Sequence, residues 1–481
     1  MNDFPLDQEE WYRIRDDRTR RVDGASGFEN YSLGVVIDPK QELSYAVQVM
    51  ALIALNILAR WCRKIRIEMP KETVSCLPYR KGQNFQEVLG QMMKDADPYG
   101  NFTFGPISEQ DINQVLLISQ NSRSSMKPSV RIDGWGWIAG INNGAELAVH
   151  PAYDENPIGP AFASCLGVAE IFRQAVGLPS TNSCSSWYSL FDLERDENPT
   201  QLSNPQYHSQ LDLGRIHQVG CGAVGSSLDF LFSLTGWRAE LFLVDYDKVD
   251  FTNCNRSLCL NPFDGVRKKY KVDACAEALR SSGLQPIPFA SSYDQFVGRG
   301  HFLDNPPDII LCLANEQNIW GCIQHNFPPL VLHATTTPNW GLNFGRHIPL
   351  KEWCIMCRFA DEVTHEFTPE CSTGHLEVMG NKRNTTLGVL PFLSTAGAIM
   401  ILSELEKLGK SEYPVNKNFI QYSMRTPKAS FVQMQRHRKE GCICREQTLN
   451  LYPSQIRNTK YWKLVTAEQS DLYREEETRG R

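Results

Sequence analysis

The sequence has no excess of positive charge. Its 49 lysines and arginines face 55 aspartates and glutamates, a net charge of −6 with a pI near 6.0. This argues against a general nucleic-acid binder, whose usual footprint is a basic surface. Long hydrophobic runs are also missing. The longest apolar stretch, residues 47–59, is interrupted by Gln48 and Asn56 and falls short of the roughly 20 residues that span a bilayer. It therefore reads as a buried helix, and no membrane partner is expected. The first ten residues are acidic, without the apolar segment of a signal peptide. Cysteines number 15, an odd count, which without a secretion signal favours free thiols and metal ligands over a disulfide framework. The cytoplasm is the expected compartment, and 481 residues allow roughly three domains.

What is present is a glycine turn, Gly220-Cys-Gly-Ala-Val-Gly225. A strand is predicted over 214–219 and a helix over 223–234. Glycines between them let the backbone approach an anion at a helix N-terminus, which makes a phosphate cradle. Asp245 closes the next strand, where a carboxylate can hydrogen-bond a ribose hydroxyl. The segment from Val244 to Arg256 adds Asp247, Asn253 and Arg256, and Lys271 follows. A nicotinamide-dependent dehydrogenase would show the turn and Asp245, but has no need of Asn253, Arg256 and Lys271 beside its nucleotide. These groups suit a triphosphate attacked at its α-phosphorus.

At these residues the chain resembles the ubiquitin-activating enzymes and their ThiF-type bacterial relatives, which adenylate sulfur carriers of the molybdopterin and thiamine pathways. The shared pattern is Gly-x-Gly-x-x-Gly, then Asp-x-Asp-x-Val-x-x-x-Asn-x-x-Arg, a downstream Lys-Val and later paired cysteines, over roughly residues 210–445. The resemblance implies an α/β, Rossmann-like doubly wound sheet with Gly220, Gly222, Gly225, Asp245, Asp247, Asn253, Arg256, Lys271 and Asn315 around ATP. Asp245 would hold the ribose. Asn253, Arg256 and Lys271 would hold the phosphates and carry catalysis. The attacking carboxylate would be the C-terminus of a small ubiquitin-like protein. Where the family places a magnesium-binding aspartate, this chain has Ala314-Asn315-Glu316, so Glu316 or Asp247 is expected to take over the metal.

Two close cysteine pairs, Cys354-Ile-Met-Cys357 and Cys442-Ile-Cys444, can bring four thiolates to one structural zinc. The family uses two Cys-x-x-Cys pairs, so the shortened second pair is a departure. Cys371 lies in a polar loop placed like the cysteine that accepts the activated protein as a thioester in ubiquitin-activating enzymes. A thiolate suits that task because it attacks an acyl-adenylate readily and leaves again easily. Sulfur-carrier relatives do not need this cysteine.

The first 200 residues have no glycine turn, yet strands are predicted over 31–38 and 64–69 around a helix over 42–62. Residues 160–172 share the small, apolar character of 391–402, which suggests a diverged internal repeat. The expected domains are 1–195, a degenerate adenylation-like unit; 196–210, a linker; 211–445, the active unit with a cysteine loop at 358–386; and 446–481, a charged tail. One chain would then replace the homodimer of the sulfur-carrier enzymes, with higher oligomers left open. In the family an arginine of the partner copy's N-terminal segment reaches the ATP phosphates, and Arg15 stands in a similar setting.

The expected function is activation of a ubiquitin-like protein with ATP and magnesium, followed by transfer to a cysteine and a conjugating enzyme. Bacterial relatives of this kind suggest antiphage defence by analogy. The alternatives are a sulfur-carrier adenylyltransferase and a non-catalytic scaffold that binds a ubiquitin-like protein.

Overall fold

Two eight-stranded sheets repeat one strand order. The computed structural model describes residues 4–22, 25–38, 42–108, 110–119, 129–142, 155–178, 185–280, 282–337, 339–358, 388–410, 417–426 and 428–467. The first sheet holds β1 (Ser32–Ile37), β2 (Lys64–Glu68), β3 (Asn101–Phe104), β4 (Gln114–Ile118), β5 (Ser129–Trp135), β6 (Ile138–Asn142), β7 (Ser186–Ser189) and β8 (Arg195–Asp196). The second holds β9 (Asp212–Val219), β10 (Arg238–Val244), β11 (Leu284–Phe289), β12 (Ile309–Cys312), β13 (Leu330–Thr336), β14 (Gly341–His347), β15 (Phe419–Ser423) and β16 (Val432–Met434). Their orders are β3-β2-β1-β4-β5-β6-β7-β8 and β11-β10-β9-β12-β13-β14-β15-β16. In each, five strands are parallel and the last three antiparallel.

The parallel strands are short aliphatic runs. Every residue of β4 and β12 is buried, the pattern of strands covered on both faces. The helix Tyr45–Ala59 is buried at all of its residues, as residues 47–59 led one to expect. The helices Ile158–Ala175 and Pro391–Lys407 close the two sheets and pack against each other. The start of the first of these helices lies close against β6: a Cβ on Gly159 would lie 2.4 Å from the Ile138 carbonyl oxygen.

One apolar core runs through both halves. Phe172 packs between Trp340 and Phe392, with ring centroids at 5.4 and 5.8 Å. Polar bonds cross the same junction. Arg173 Nη1 donates to the Met424 carbonyl at 2.9 Å and Tyr45 Oη to that of Leu234 at 2.7 Å.

Two sequence expectations need correction. Much of the stretch expected as a linker is built into the N-terminal half: Arg195–Asp196 is the edge strand β8, and Trp137 bonds Asn204 and the Pro205 carbonyl at 2.9 and 3.0 Å. The expected charged tail is packed as far as its described residues go, because Tyr452, Ile456, Tyr461 and Trp462 turn inward. Polar composition hid these anchors, since a few aromatic side chains suffice to bury a short segment. Among the described residues no helix is long and apolar enough to cross a membrane.

Candidate functional site

The sheet order reverses at β9, which has β10 on one side and β12 on the other. Ligands of open α/β sheets bind at the C-terminal ends of strands at such a point. Here β9 runs into the glycine turn. Gly220 has φ +104°, and a Cβ on it would lie 2.8 Å from the Ala314 amide nitrogen just beyond β12. A Cβ on Gly225 would meet the Gly220 carbonyl oxygen at 2.2 Å, so the helix Ala223–Phe232 can start only this close to the turn with glycine there. Around Gly222, the residue capping that helix, a Cβ would meet nothing within 4 Å. The open face of the turn is thus where an anion can approach the helix N-terminus.

Asp245 ties this turn to β10. Its Oδ2 accepts from the Cys221 amide at 2.7 Å and its Oδ1 from the Asp247 amide at 2.8 Å. Burial, reinforced by the Asp247 charge, raises the Asp245 carboxyl, and Lys271 works against that rise. Lys271 begins the helix Lys271–Leu279, and its Nζ lies 2.5 Å from Asp247 Oδ2. Glu316, beyond β12, is also raised, first by burial and then by Asp245 and Asp247. The charges of Asp245 and Asp247 thus reach Glu316, and Lys271 offsets them; their oxygens are donors of the kind hard divalent cations take, but among the described residues the three are not gathered within 4.8 Å of one another as the paired cysteine sulfurs are. Asn315 is exposed beside Glu316.

The loop after β10 carries the remaining expected groups. Asp250 caps a 3-10 turn, Phe251–Asn253, in which Asn253 Oδ1 accepts from the Asp250 amide at 2.9 Å. The Asn253 side-chain nitrogen has no partner among the described residues and remains a donor for a ligand. Arg256 is nearly buried; its Nη1 donates to the Thr252 carbonyl at 2.5 Å and to Asn255 Oδ1 at 2.8 Å. A cavity of about 330 Å³ beside the acidic residues is lined by Tyr246, Ser292, Gln295, Glu316, Asn318 and Ile319. Sequence reasoning missed Ser292 and Gln295. The signal for them was topological, since they follow β11, the neighbour of β10.

Cys221, Asp229 and Cys275 lie buried together beneath the turn, their ligand atoms within 4.8 Å of one another. Burial lifts the Asp229 carboxyl to about 7, so much of it stays protonated at neutral pH.

The four paired cysteines converge. Sγ separations are 3.8 Å for Cys354–Cys357, 3.5 Å for Cys354–Cys442, 3.4 Å for Cys357–Cys444 and 3.5 Å for Cys442–Cys444. Tetrahedral zinc with Zn–S bonds of about 2.3 Å needs sulfurs about 3.8 Å apart, so the donor set fits, shortened second pair included.

Arg15 departs from its expected role. Its guanidinium is fully buried, paired at 2.6 Å with both Asp16 and Asp97 and bonded to the Ala59 and Trp61 carbonyls at 3.4 and 3.2 Å. Those partners make it a strut of the N-terminal half rather than a group aimed at the glycine turn. Cys371 and the cysteine loop around it lie outside the described residues.

A family model described as the ThiF family matches residues 200–444, and one described as the BilD N-terminal domain matches residues 32–186. The uncharacterized protein y4jF of Sinorhizobium fredii is 24% identical over 356 residues, which cover 70% of this chain and 62% of that protein. The chain thus spans less than two thirds of that relative's length. Crystal structures of E. coli MccB align at 17% identity and a TM-score of 0.33 over 49% of this chain and 66% of MccB. MccB with ATP aligns at 15% identity and a TM-score of 0.32 over 65% and 96% of the two chains. PaaA aligns at 16% identity and a TM-score of 0.32 over 46% and 64%. The ThiF model matches more than half of the 481 residues, and the chain belongs to the ThiF family.

Proposed function

We propose that this ThiF-family adenylating enzyme activates the C-terminal carboxylate of a ubiquitin-like protein with ATP. The observation that carries the reading is the junction of the glycine turn, tied through Asp245, with the Asp247–Lys271 pair. A carboxylate oxygen attacks the α-phosphorus, the bond to the bridging oxygen breaks, and pyrophosphate leaves an acyl-adenylate. Arg256, Lys271 and the amide of Asn253 offset the charge developing on the phosphates, and they do so most strongly where water is excluded. Asp245 retains lone pairs for a ribose hydroxyl. Asp247 and Glu316 would hold magnesium, which when bound neutralises charge on the leaving pyrophosphate; Ala314 leaves them this role. The four paired cysteines would hold zinc as a staple.

In the second step the Cys371 thiolate attacks the acyl carbon, AMP leaves, and a conjugating enzyme accepts the thioester. Residues 1–195 form the inactive unit and 211–445 the active one. A cytoplasmic setting and a part in antiphage defence follow by analogy with similar bacterial proteins.

ATP–pyrophosphate exchange tests this reading, with candidate ubiquitin-like proteins and with the same proteins lacking their last residues. Exchange that needs an intact C-terminus and is lost in Arg256→Ala but kept in Cys371→Ala supports adenylation and leaves Cys371 a later role. Exchange with no partner, despite bound nucleotide, would leave the chain a scaffold.

A further inference from the structure

We infer that the N-terminal half is a positioning module for the loop that presents Asn253 and Arg256, acting through Arg60 and Thr19. The inference rests on the reading of Arg256 as a phosphate-facing group and gives the half without a glycine turn a task in the same site.

Arg60 follows the helix Tyr45–Ala59 and is 2% exposed. Its Nε donates to Asn56 Oδ1 at 2.9 Å within its own half. Its other donors cross to the second half: Nη1 to the Cys254 carbonyl at 2.7 Å and that of Leu260 at 3.3 Å, and Nη2 to that of Leu258 at 2.8 Å. Among the described residues no carboxylate lies within ion-pair distance of it. A buried guanidinium without a counter-ion is costly, and burial draws its pKa down to about 10, which still leaves it charged at neutral pH. The carbonyls it meets belong to an irregular loop without a ladder of its own, and buried carbonyls need partners. The planar fork of arginine reaches three at once; the single ammonium of lysine does not.

The second link is a relay. Thr19 is fully buried, and its Oγ1 accepts from Asn255 Nδ2 at 3.1 Å. That bond orients the amide so that Asn255 Oδ1 faces Arg256 Nη1 at 2.8 Å. The helix Gln8–Arg15 supports the same loop from outside, Phe4 and Trp11 packing on Phe251 with centroids at 5.7 and 6.2 Å. Thr19 and Arg60 thus reach the loop that carries Arg256 from the N-terminal half, alongside Ser394 of the second half, whose Oγ donates to the Arg256 carbonyl at 3.2 Å.

The test is a mutant cycle on the full chain. ATP–pyrophosphate exchange and binding of a fluorescent N-methylanthraniloyl-ATP are measured for wild type, Thr19→Val, Arg60→Met, Arg60→Lys, Arg256→Ala and the doubles with Arg256→Ala. Thr19→Val and Arg60→Met are expected to lower exchange by roughly 10-fold or more, Arg60→Lys to recover only part, and neither to lower it further once Arg256 is alanine, since residues acting through one group are not additive. Losses that multiply in the double variants, or single variants equal to wild type, overturn the inference. If Arg60→Met does not fold, Thr19→Val, which replaces the hydroxyl with a methyl of similar size, decides the matter. If wild type exchanges with no partner, the adenylation reading has failed separately; analogue affinity then serves, and equal affinity of Thr19→Val and wild type overturns the positioning role.

Discussion

The two halves share a strand order, but their first strands end differently. β9 leaves through Gly220, Cys221 and Gly222, whereas β1 is followed by Asp38 and, before its helix, by Glu42. Asp245 follows β10, where Met69 follows β2. One connection thus carries an open glycine turn, and the other has carboxylates on either side; burial, and after it the Asp38 charge, raises the Glu42 carboxyl. The helix behind the first connection is apolar and wholly buried, while that behind the second holds the buried Asp229. A doubly wound sheet is therefore only a support. A few residues at strand ends decide whether it handles a nucleotide.

The sharpest way to test this contrast is to remove charges in each half. Arg256→Ala or Lys271→Ala is expected to cut pyrophosphate exchange by about 10²–10³-fold, the usual loss when a transition-state donor is removed. Asp38→Asn in the first half should leave it within about twofold, as expected of a group far from the chemistry. An equal loss from Asp38→Asn would break the comparison.

Next comes a pair of glycines. Gly220→Val places a side chain where φ is +104° and the Ala314 nitrogen stands 2.8 Å from its Cβ; about 2–4 kcal/mol of stability should be lost, combining backbone strain with overpacking. Gly27→Ala has φ +83° but open space around the Cβ, and about 1 kcal/mol is expected. Denaturant titration measures both, and similar costs would show that the turn is not tightly constrained.

The metal staple separates the halves in another way. About one zinc per chain is expected by elemental analysis, lost in Cys357→Ser with a lower melting temperature and retained in Cys62→Ser. Loss in both, or in neither, would remove the zinc assignment.

The smallest effect concerns pH. Asp229 is protonated in the folded chain up to about 7, whereas in the unfolded chain it ionises near 4. Between these values the native state holds more protons, so this group makes stability fall as pH rises from about 4 to about 7. Asp229→Asn should flatten the decline in melting temperature between pH 5 and 8. An unchanged slope would mean that the carboxyl is charged in the native state, held by something other than a proton.

Much of this was legible in local sequence. The glycine turn, the strand before it and Asp245 closing the next strand fell where expected, because each depends on residues within a few positions. The repeat could be suspected from two closing helices, and the shared strand order bears it out. Arg15 misled, since a basic residue in an N-terminal segment does not disclose whether Asp97 will bury and pair it. Ser292 and Gln295 carry no motif, and become lining residues only because β11 lies beside β10.

The sequence by itself determined the chemistry at the head of β9: positive φ and close backbone approach demand glycine, and phosphate demands nearby cations, whatever the rest of the chain does. Only the tertiary structure decided how those cations are held. Arg60 and Cys254 stand 194 positions apart, and Thr19 and Asn255 236 apart, a distance at which no periodicity or motif predicts contact. Their pairing follows from docking two large apolar surfaces, and burial there leaves loop carbonyls that only a group brought from the other half can satisfy.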